Sequence, residues 1–432
     1  MNLEKYNLIL LKNGEIYNPS TQSFSRESIL IENGVVSKVS REIKMPNSSK
    51  NKGLIVDCTN KIICPGFVDI NSNIDFFDRP DRETLESATM ASMSGGYTKV
   101  CISPIQSKVY DTPEAIISFL NKVDGNSVEF LPFGSPTKNC KGLELAEIGL
   151  MFKAGAIGIS NGKNNLENTL MLRYILQYLK SYQSTFMYSC YDKYLSEGSS
   201  INEGLTSTRM GVSSSPFISE TIDAYRALSL ASYLKGQIHL SSITNFETIN
   251  LIENFSDKNF FPTFDISVHN LFFSDEDLVN FDTNLKSESL FRSNKNRKRI
   301  INYLNRGKIN CISSNHRPLS PDEKEKDFYS SLSGFISLQT SFALACKSVN
   351  ANKENIGNII DCFTIGPSKI LNLPINFLDE KSKANFAIID LKKPWEFNRD
   401  VSFSKSYNTP LEKMNFPVSI HGTISGNNIY LK

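Results

Sequence analysis

Ile62-Ile63-Cys64-Pro65-Gly66-Phe67-Val68-Asp69-Ile70 is the stretch on which the reading of the fold turns. It is a short apolar run rich in β-branched residues, which is the character of a strand buried on both faces. Seven more candidates of this kind follow: Lys99–Ser103, Val128–Phe133, Ala156–Ser160, Thr185–Ser189, Gln237–Ile243, Phe261–Ser267 and Ile309–Ser314. Helical patterns separate them. Ile222, Tyr225, Leu228, Ala231 and Leu234 recur at helical spacing before a stop at Gly236. Leu145, Ile148 and Phe152 do the same before Gly155, and Leu170, Tyr174, Ile175, Tyr178 and Leu179 form a third stripe. The basic stretch from Asn294 to Arg299 reads as the solvated face of a helix ending near Gly307.

Eight strands alternating with helices define an α/β chain, and the competing arrangements are a (β/α)8 barrel and an open doubly wound sheet. The count of eight favours the barrel, as does the lack of a glycine-rich phosphate loop after the first strand. Outside this region the texture is β-rich. Leu8–Leu11, Ser28–Ile31 and Val35-Val36 are short β-prone runs punctuated by the turn dipeptides Asn13-Gly14 and Asn33-Gly34. Similar runs return at Phe386–Ile389 and Val418–Ile420. The expected organisation is therefore a barrel over residues 61–375 and a small β-sandwich domain assembled from 1–60 and 376–432.

Bulk properties exclude several classes. The 432 residues are 40% hydrophobic and 21% charged with a net charge of +2, which gives no reason to expect nucleic acid or an anionic membrane as partner. Glu4, Lys5 and Lys12 interrupt the only apolar run near the N-terminus, so no signal peptide is expected. No apolar stretch approaches the roughly 20 residues of a membrane span. The eight cysteines are scattered without Cys-x-x-Cys spacing and read as buried thiols in a reducing compartment, the cytoplasm by default.

Several motifs carry a resemblance. Pro65-Gly66-Phe67-Val68-Asp69 is similar to a strand of the amidohydrolase superfamily. Glu83-Thr84-Leu85-Glu86-Ser87, Ser94-Gly95-Gly96-Tyr97-Thr98, Gly142 to Gly149, Ala154-Gly155-Ala156, Asn202-Glu203-Gly204 and Ser404 to Pro410 narrow it. In order and spacing they resemble the type I dihydroorotases over almost the whole chain. That resemblance implies the metal-dependent hydrolase form of the barrel, with two zinc ions at the C-terminal ends of the strands. A bridging hydroxide would attack a cyclic amide there, because metal lowers the pKa of an otherwise poor nucleophile.

The positions that the resemblance assigns to this chemistry are altered. The His-x-His pair falls on Asn71 and Asn73, and the strand-four aspartate on Asn161. Further metal ligands fall on Ser189 and Ser242, and the catalytic base on Asn315; His239 matches a family histidine that is not a ligand. Amides and hydroxyls are poor zinc ligands, and Asn cannot accept a proton as Asp does. On the substrate side, the family arginine falls on Asp75 and the family asparagine near Ile105. No metal or other cofactor is expected, and no catalytic residue is assigned.

Other residues offer little replacement chemistry. His269 and His316 follow barrel strands and are candidates for a residual pocket; Asp192 and Arg317 are candidates for pairing across the mouth. Cys190 reads as a small buried residue rather than a nucleophile. The first functional expectation is a non-catalytic partner in pyrimidine biosynthesis, since non-catalytic dihydroorotase-like subunits associate with aspartate transcarbamoylase; self-association is expected as well. A binding module for a neutral polar metabolite is the second. An active dihydroorotase or other cyclic amidase using residues outside the matched set is the third.

Overall fold

A computed structural model describes residues 3–46, 53–104, 109–375 and 377–432. Ile105 lies outside the described residues. Eight parallel strands form one sheet in chain order: β1 (Phe67–Ser72), β2 (Tyr97–Ile102), β3 (Glu129–Gly134), β4 (Gly158–Ser160), β5 (Phe186–Tyr188), β6 (Ile238–Leu240), β7 (Thr263–Ser267) and β8 (Cys311–Ser313). The sheet curls until its ends meet. Ser72 bridges to His316 in parallel register, and the Asn73 N–H donates to the His316 carbonyl at 2.8 Å.

The run Ile62–Ile70 is two strands. Ile62–Pro65 pairs with Asn385–Asp390 and Leu8–Asn18 in the outer sheet, whereas Phe67–Ser72 opens the barrel. The break falls at Gly66, whose N–H donates to the Asn385 carbonyl at 2.9 Å. A Cβ there would stand 2.4 Å from the Thr98 side chain, so the chain changes sheets where only glycine fits.

A second sheet of nine strands draws on both ends of the chain. Its buried side chains include Ile9, Leu11, Ile29, Ile63, Phe386 and Ile424. Asn33-Gly34 makes the expected hairpin turn, with φ of 50° and 80°. Asn13-Gly14 does not turn. The strand Leu8–Asn18 runs through it, with Asn13 at φ 63° and a register shift between Leu11 and Gly14, which is a bulge.

Two of the helical stripes are only partly buried, with Leu228 and Ala231 of one and Ile175 and Leu179 of the other on the inner face. Helix Ile218–Leu234 buries Ala224, Ala227, Leu228 and Ala231, while Ile222 and Tyr225 remain 49% and 57% exposed. Helix Thr169–Lys180 buries Met171, Leu172, Ile175, Leu176 and Leu179 and exposes Leu170, Tyr174 and Tyr178. In helix Ile218–Leu234 the buried face is rich in small alanines, which allow close approach, and Ile222 and Tyr225 lie outside it. Helix Asn294–Asn305 carries the basic stretch as expected. Among the described residues no helix is long and apolar enough to cross a membrane.

Candidate functional site at the barrel mouth

The lower barrel is apolar: Val68, Ile70, Cys101, Phe133, Met187 and Cys311 pack with Ile370 and Leu371. Above them two fully buried carboxylates tie strands together. Asp69 on β1 accepts from the Ser314 N–H (2.9 Å), the Ser314 hydroxyl and the Ser72 hydroxyl (both 2.5 Å), which locks β1 to the end of β8. Burial raises its pKa, against the lowering effect of those hydrogen bonds. Asp265 on β7 holds His239 Nε2 at 3.0 Å and accepts from the Ser242 N–H (3.0 Å) and the Ser313 hydroxyl (2.5 Å).

At the strand ends the sequence-selected positions meet one another. Asn71 Nδ2 donates to Ser242 Oγ (2.9 Å) and to Asn315 Oδ1 (3.1 Å), while its Oδ1 accepts from the Ser103 hydroxyl (3.1 Å). Asn315 Nδ2 continues the chain to Ser289 Oγ at 2.7 Å. Thus the ends of β1, β2, β6 and β8 are joined through neutral side chains. Ser242 and Asn315 both hold left-handed backbone, with φ of 54° and 52°. Such conformations are uncommon outside glycine and cluster at sites where side chains must be aimed inward.

Asn161 joins different strands. Its Oδ1 accepts from the Ser189 N–H at 2.9 Å, and its Nδ2 donates to the Asn164 carbonyl at 2.6 Å, clamping β4 to β5. Among the described residues the Asn73 side chain reaches Glu288 alone, at 3.5 Å. Asp75 is buried in the loop after β1, where it accepts from the Asp78 N–H at 3.1 Å.

Zinc, the metal that the resemblance implies, does not suit this donor set. Zinc sites are built from imidazole, thiolate or carboxylate, whereas the matched positions present amides and hydroxyls, of which Asn71, Ser242 and Asn315 are already bonded to one another. An amide NH2, as Asn71 presents to Ser242 and Asn315, has no lone pair to give a metal. Among the described residues no group of three or more His, Cys, Asp or Glu is placed to hold an ion.

Neither residual histidine reaches the open cavity. His316 is buried: its Nδ1 accepts from the Ser337 N–H at 2.9 Å and its Nε2 lies 3.4 Å from Glu83 Oε2. Glu83 is buried and also accepts from the Ser404 hydroxyl and the Lys405 N–H. The Glu83–Ser87 and Ser404–Pro410 motifs therefore meet behind the barrel mouth. Burial would raise the Glu83 pKa, but His316 and these donors bring it below the ordinary value. His269 packs 4.0 Å from the Phe335 ring centroid with both ring nitrogens unpartnered among the described residues, and burial pushes its pKa down to about 3. Arg317 pairs with Glu288 and not with Asp192, which instead caps a short helix through the Leu195 N–H. Burial raises the Cys190 thiol well above its usual range, which leaves it a poor nucleophile.

One cavity of about 270 Å³ opens on the β4–β7 side of the mouth. Ser189 and Ser242 line it, but Asn71, Asn73, Asn161 and Asn315 do not. Its charged lining, which sequence reasoning missed, is Lys163, Glu220, Glu288 and Arg292. The only local signal for Lys163 was its place two residues after Asn161. Arg292 sits in the long segment after β7, with no pattern of its own.

The architecture defines a class. It matches the L-hydantoinase (dihydropyrimidinase) of Arthrobacter aurescens with a TM-score of 0.84 at 18% identity, over 98% of this chain and 96% of that one. The dihydropyrimidinase of Brevibacillus agri matches at 0.82 and 14%, over 98% and 95%. The fold is thus an amidohydrolase-type barrel with a β-rich domain. In sequence, residues 60–248 match the Dihydro-orotase-like family. The chain is 31% identical to a dihydroorotase of Caldicellulosiruptor saccharolyticus over 405 residues, 93% of each chain. It is 26% identical to one from Acetivibrio thermocellus, over 98% of this chain and 99% of the relative. The chain belongs to the dihydroorotase family.

Proposed function

We propose that this chain is a non-catalytic member of the dihydroorotase family, acting as a structural or regulatory partner in pyrimidine biosynthesis, with aspartate transcarbamoylase as the expected partner. One observation carries the reading. The strand ends where metal chemistry would occur are cross-linked by neutral amides and hydroxyls, with Asn71 bonded to Ser242, Asn315 and Ser103. Asn315 stands where a base is required and cannot take a proton.

The scaffold role has separate support. Motifs that hold the loops remain in use, as in Asn408, which donates to the Arg317 and Gly334 carbonyls at 2.9 and 3.0 Å. Two adjacent helices also expose Leu170, Tyr174, Tyr178, Ile222, Tyr225 and Tyr233, a concentration of large apolar side chains of the kind association covers. Self-association and a cytoplasmic location belong to the same proposal.

Two measurements test it. Affinity purification from the native source is expected to recover a transcarbamoylase in fixed ratio, and recovery of this chain alone counts against the partner role. Metal analysis with a dihydroorotate hydrolysis assay is expected to give neither stoichiometric zinc nor turnover. Zinc together with turnover would establish the active cyclic amidase instead.

A further inference from the structure

The cavity on the β4–β7 side is not simply the space of the matched metal positions, because four of those six side chains, Asn71, Asn73, Asn161 and Asn315, do not line it. What it offers a ligand follows from which of its polar groups are already satisfied. Glu220 accepts from the Thr244 N–H (2.9 Å), the Thr244 hydroxyl (2.6 Å) and the Asn245 N–H (3.1 Å). Glu288 is paired with Arg317 and approached by Asn73. Both carboxylates of the lining are therefore occupied.

The donors are not. Among the described residues the Lys163 ammonium has no hydrogen-bond or ion-pair partner. Lys286, by contrast, places its ammonium on the carbonyls of Phe328, Tyr329 and Ser331 at 2.7–2.9 Å. Arg292 is buried and held rigidly, with Nε on Thr244 Oγ1 (2.8 Å) and Nη1 on Asn202 Oδ1 (3.0 Å) and the Ser215 carbonyl (3.2 Å). Among the described residues its Nη2 has no hydrogen-bond acceptor. The hydroxyls of Ser189, Ser241 and Ser333, all in the lining, likewise donate to no described residue.

A cavity whose acceptors are used and whose cationic and hydroxyl donors are free is complementary to an acceptor-rich anion. We propose that it is a binding site for a small oxyanion-bearing metabolite, a carboxylate or a phosphate, held by Lys163 and Arg292 with the serine hydroxyls around it. The volume, just under the roughly 300 Å³ lower bound for drug-sized ligands, limits the occupant to a small molecule. The neutral ligand expected from sequence is read from the matched positions, four of which do not line this cavity. The oxyanion site rests on the non-catalytic reading only in treating the cavity as a place of binding without turnover.

Calorimetric titration of the full chain with inorganic phosphate and, separately, with succinate tests the proposal. Saturable binding of either is expected, and the stronger arm identifies the oxyanion. Lys163→Met is expected to weaken it about tenfold or more, the loss of one charge-assisted hydrogen bond, while Lys163→Arg retains most of it. If Lys163→Met fails to fold, Ser333→Ala supplies the second variant, with a smaller loss of affinity. Absence of saturable binding in both arms would overturn the inference, as would binding unchanged in Lys163→Met. Those results leave the non-catalytic reading standing, since that is decided by zinc content and dihydroorotate turnover.

Discussion

Asn71→Ala removes the side chain at the centre of the strand-end network. Three hydrogen bonds disappear, to Ser242, Asn315 and Ser103, and each of those partners is no more than 7% exposed. At about 1 kcal/mol net for each bond, the loss is about 3 kcal/mol if the space stays dry, and nearer 1 kcal/mol if water fills it. In urea, with a slope near 3 kcal/mol/M for a chain of this size, the midpoint falls by up to about 1 M. Asn71→Leu separates hydrogen bonding from packing. Leucine has nearly the shape of asparagine but faces the same three polar groups with methyls and bars water from them, so it should cost at least as much as alanine. Equilibrium unfolding followed by far-UV circular dichroism measures both. A leucine variant as stable as the original protein, or an alanine variant within about 0.5 kcal/mol of it, would refute the claim that this network cements the barrel mouth.

Other expectations follow from the same geometry. Asn71→His with Asn73→His should not acquire stoichiometric zinc by elemental analysis, because Asn161, Ser189, Ser242 and Asn315 remain neutral around it. Glu83→Gln should cost about 1–3 kcal/mol at pH 7, since a buried charge-assisted contact to His316 and the bonds from Ser404 and Lys405 weaken together. Because the Glu83 pKa is depressed in the folded state, its contribution is present above the ordinary value of 4.5 and is lost as pH falls through the lower folded value. The variant should therefore show a flatter loss of stability with acid, measured by urea midpoints at successive pH values. Oxyanion binding should weaken as pH rises through about 8. Burial lowers the Lys163 pKa to that value against the opposing pull of Asp265, with Arg317 lowering it and Cys190 and Glu220 raising it. Affinity that stays level from pH 7 to 9 would remove Lys163 from the site.

Much of the architecture was legible from local pattern. Buried parallel strands are short apolar runs, and all eight candidates contain a barrel strand or most of one. The errors have physical causes. Ile62–Ile70 is apolar throughout because both of its halves are buried, in different sheets, and composition does not record which. The stripe through Ile222, Tyr225 and Leu228 has the right period, but only its Leu228 end is buried and the inner face is completed by Ala224, Ala227 and Ala231, since close approach to the barrel favours small side chains. Asn13-Gly14 has turn chemistry, yet a strand paired on both sides absorbs it as a bulge.

At the mouth, the sequence by itself determined which residue types stand at the strand ends, and hence that amides and hydroxyls occupy the positions matched to zinc ligands and base. Only the tertiary structure decided that Asn71, Ser242 and Asn315 bond to one another and that the open space is lined by Lys163 and Arg292. Asn71 and Asn315 are 244 residues apart and meet only because the barrel closes β8 onto β1. Whether a donor is satisfied or free depends on such contacts, and no local pattern in the chain encodes them.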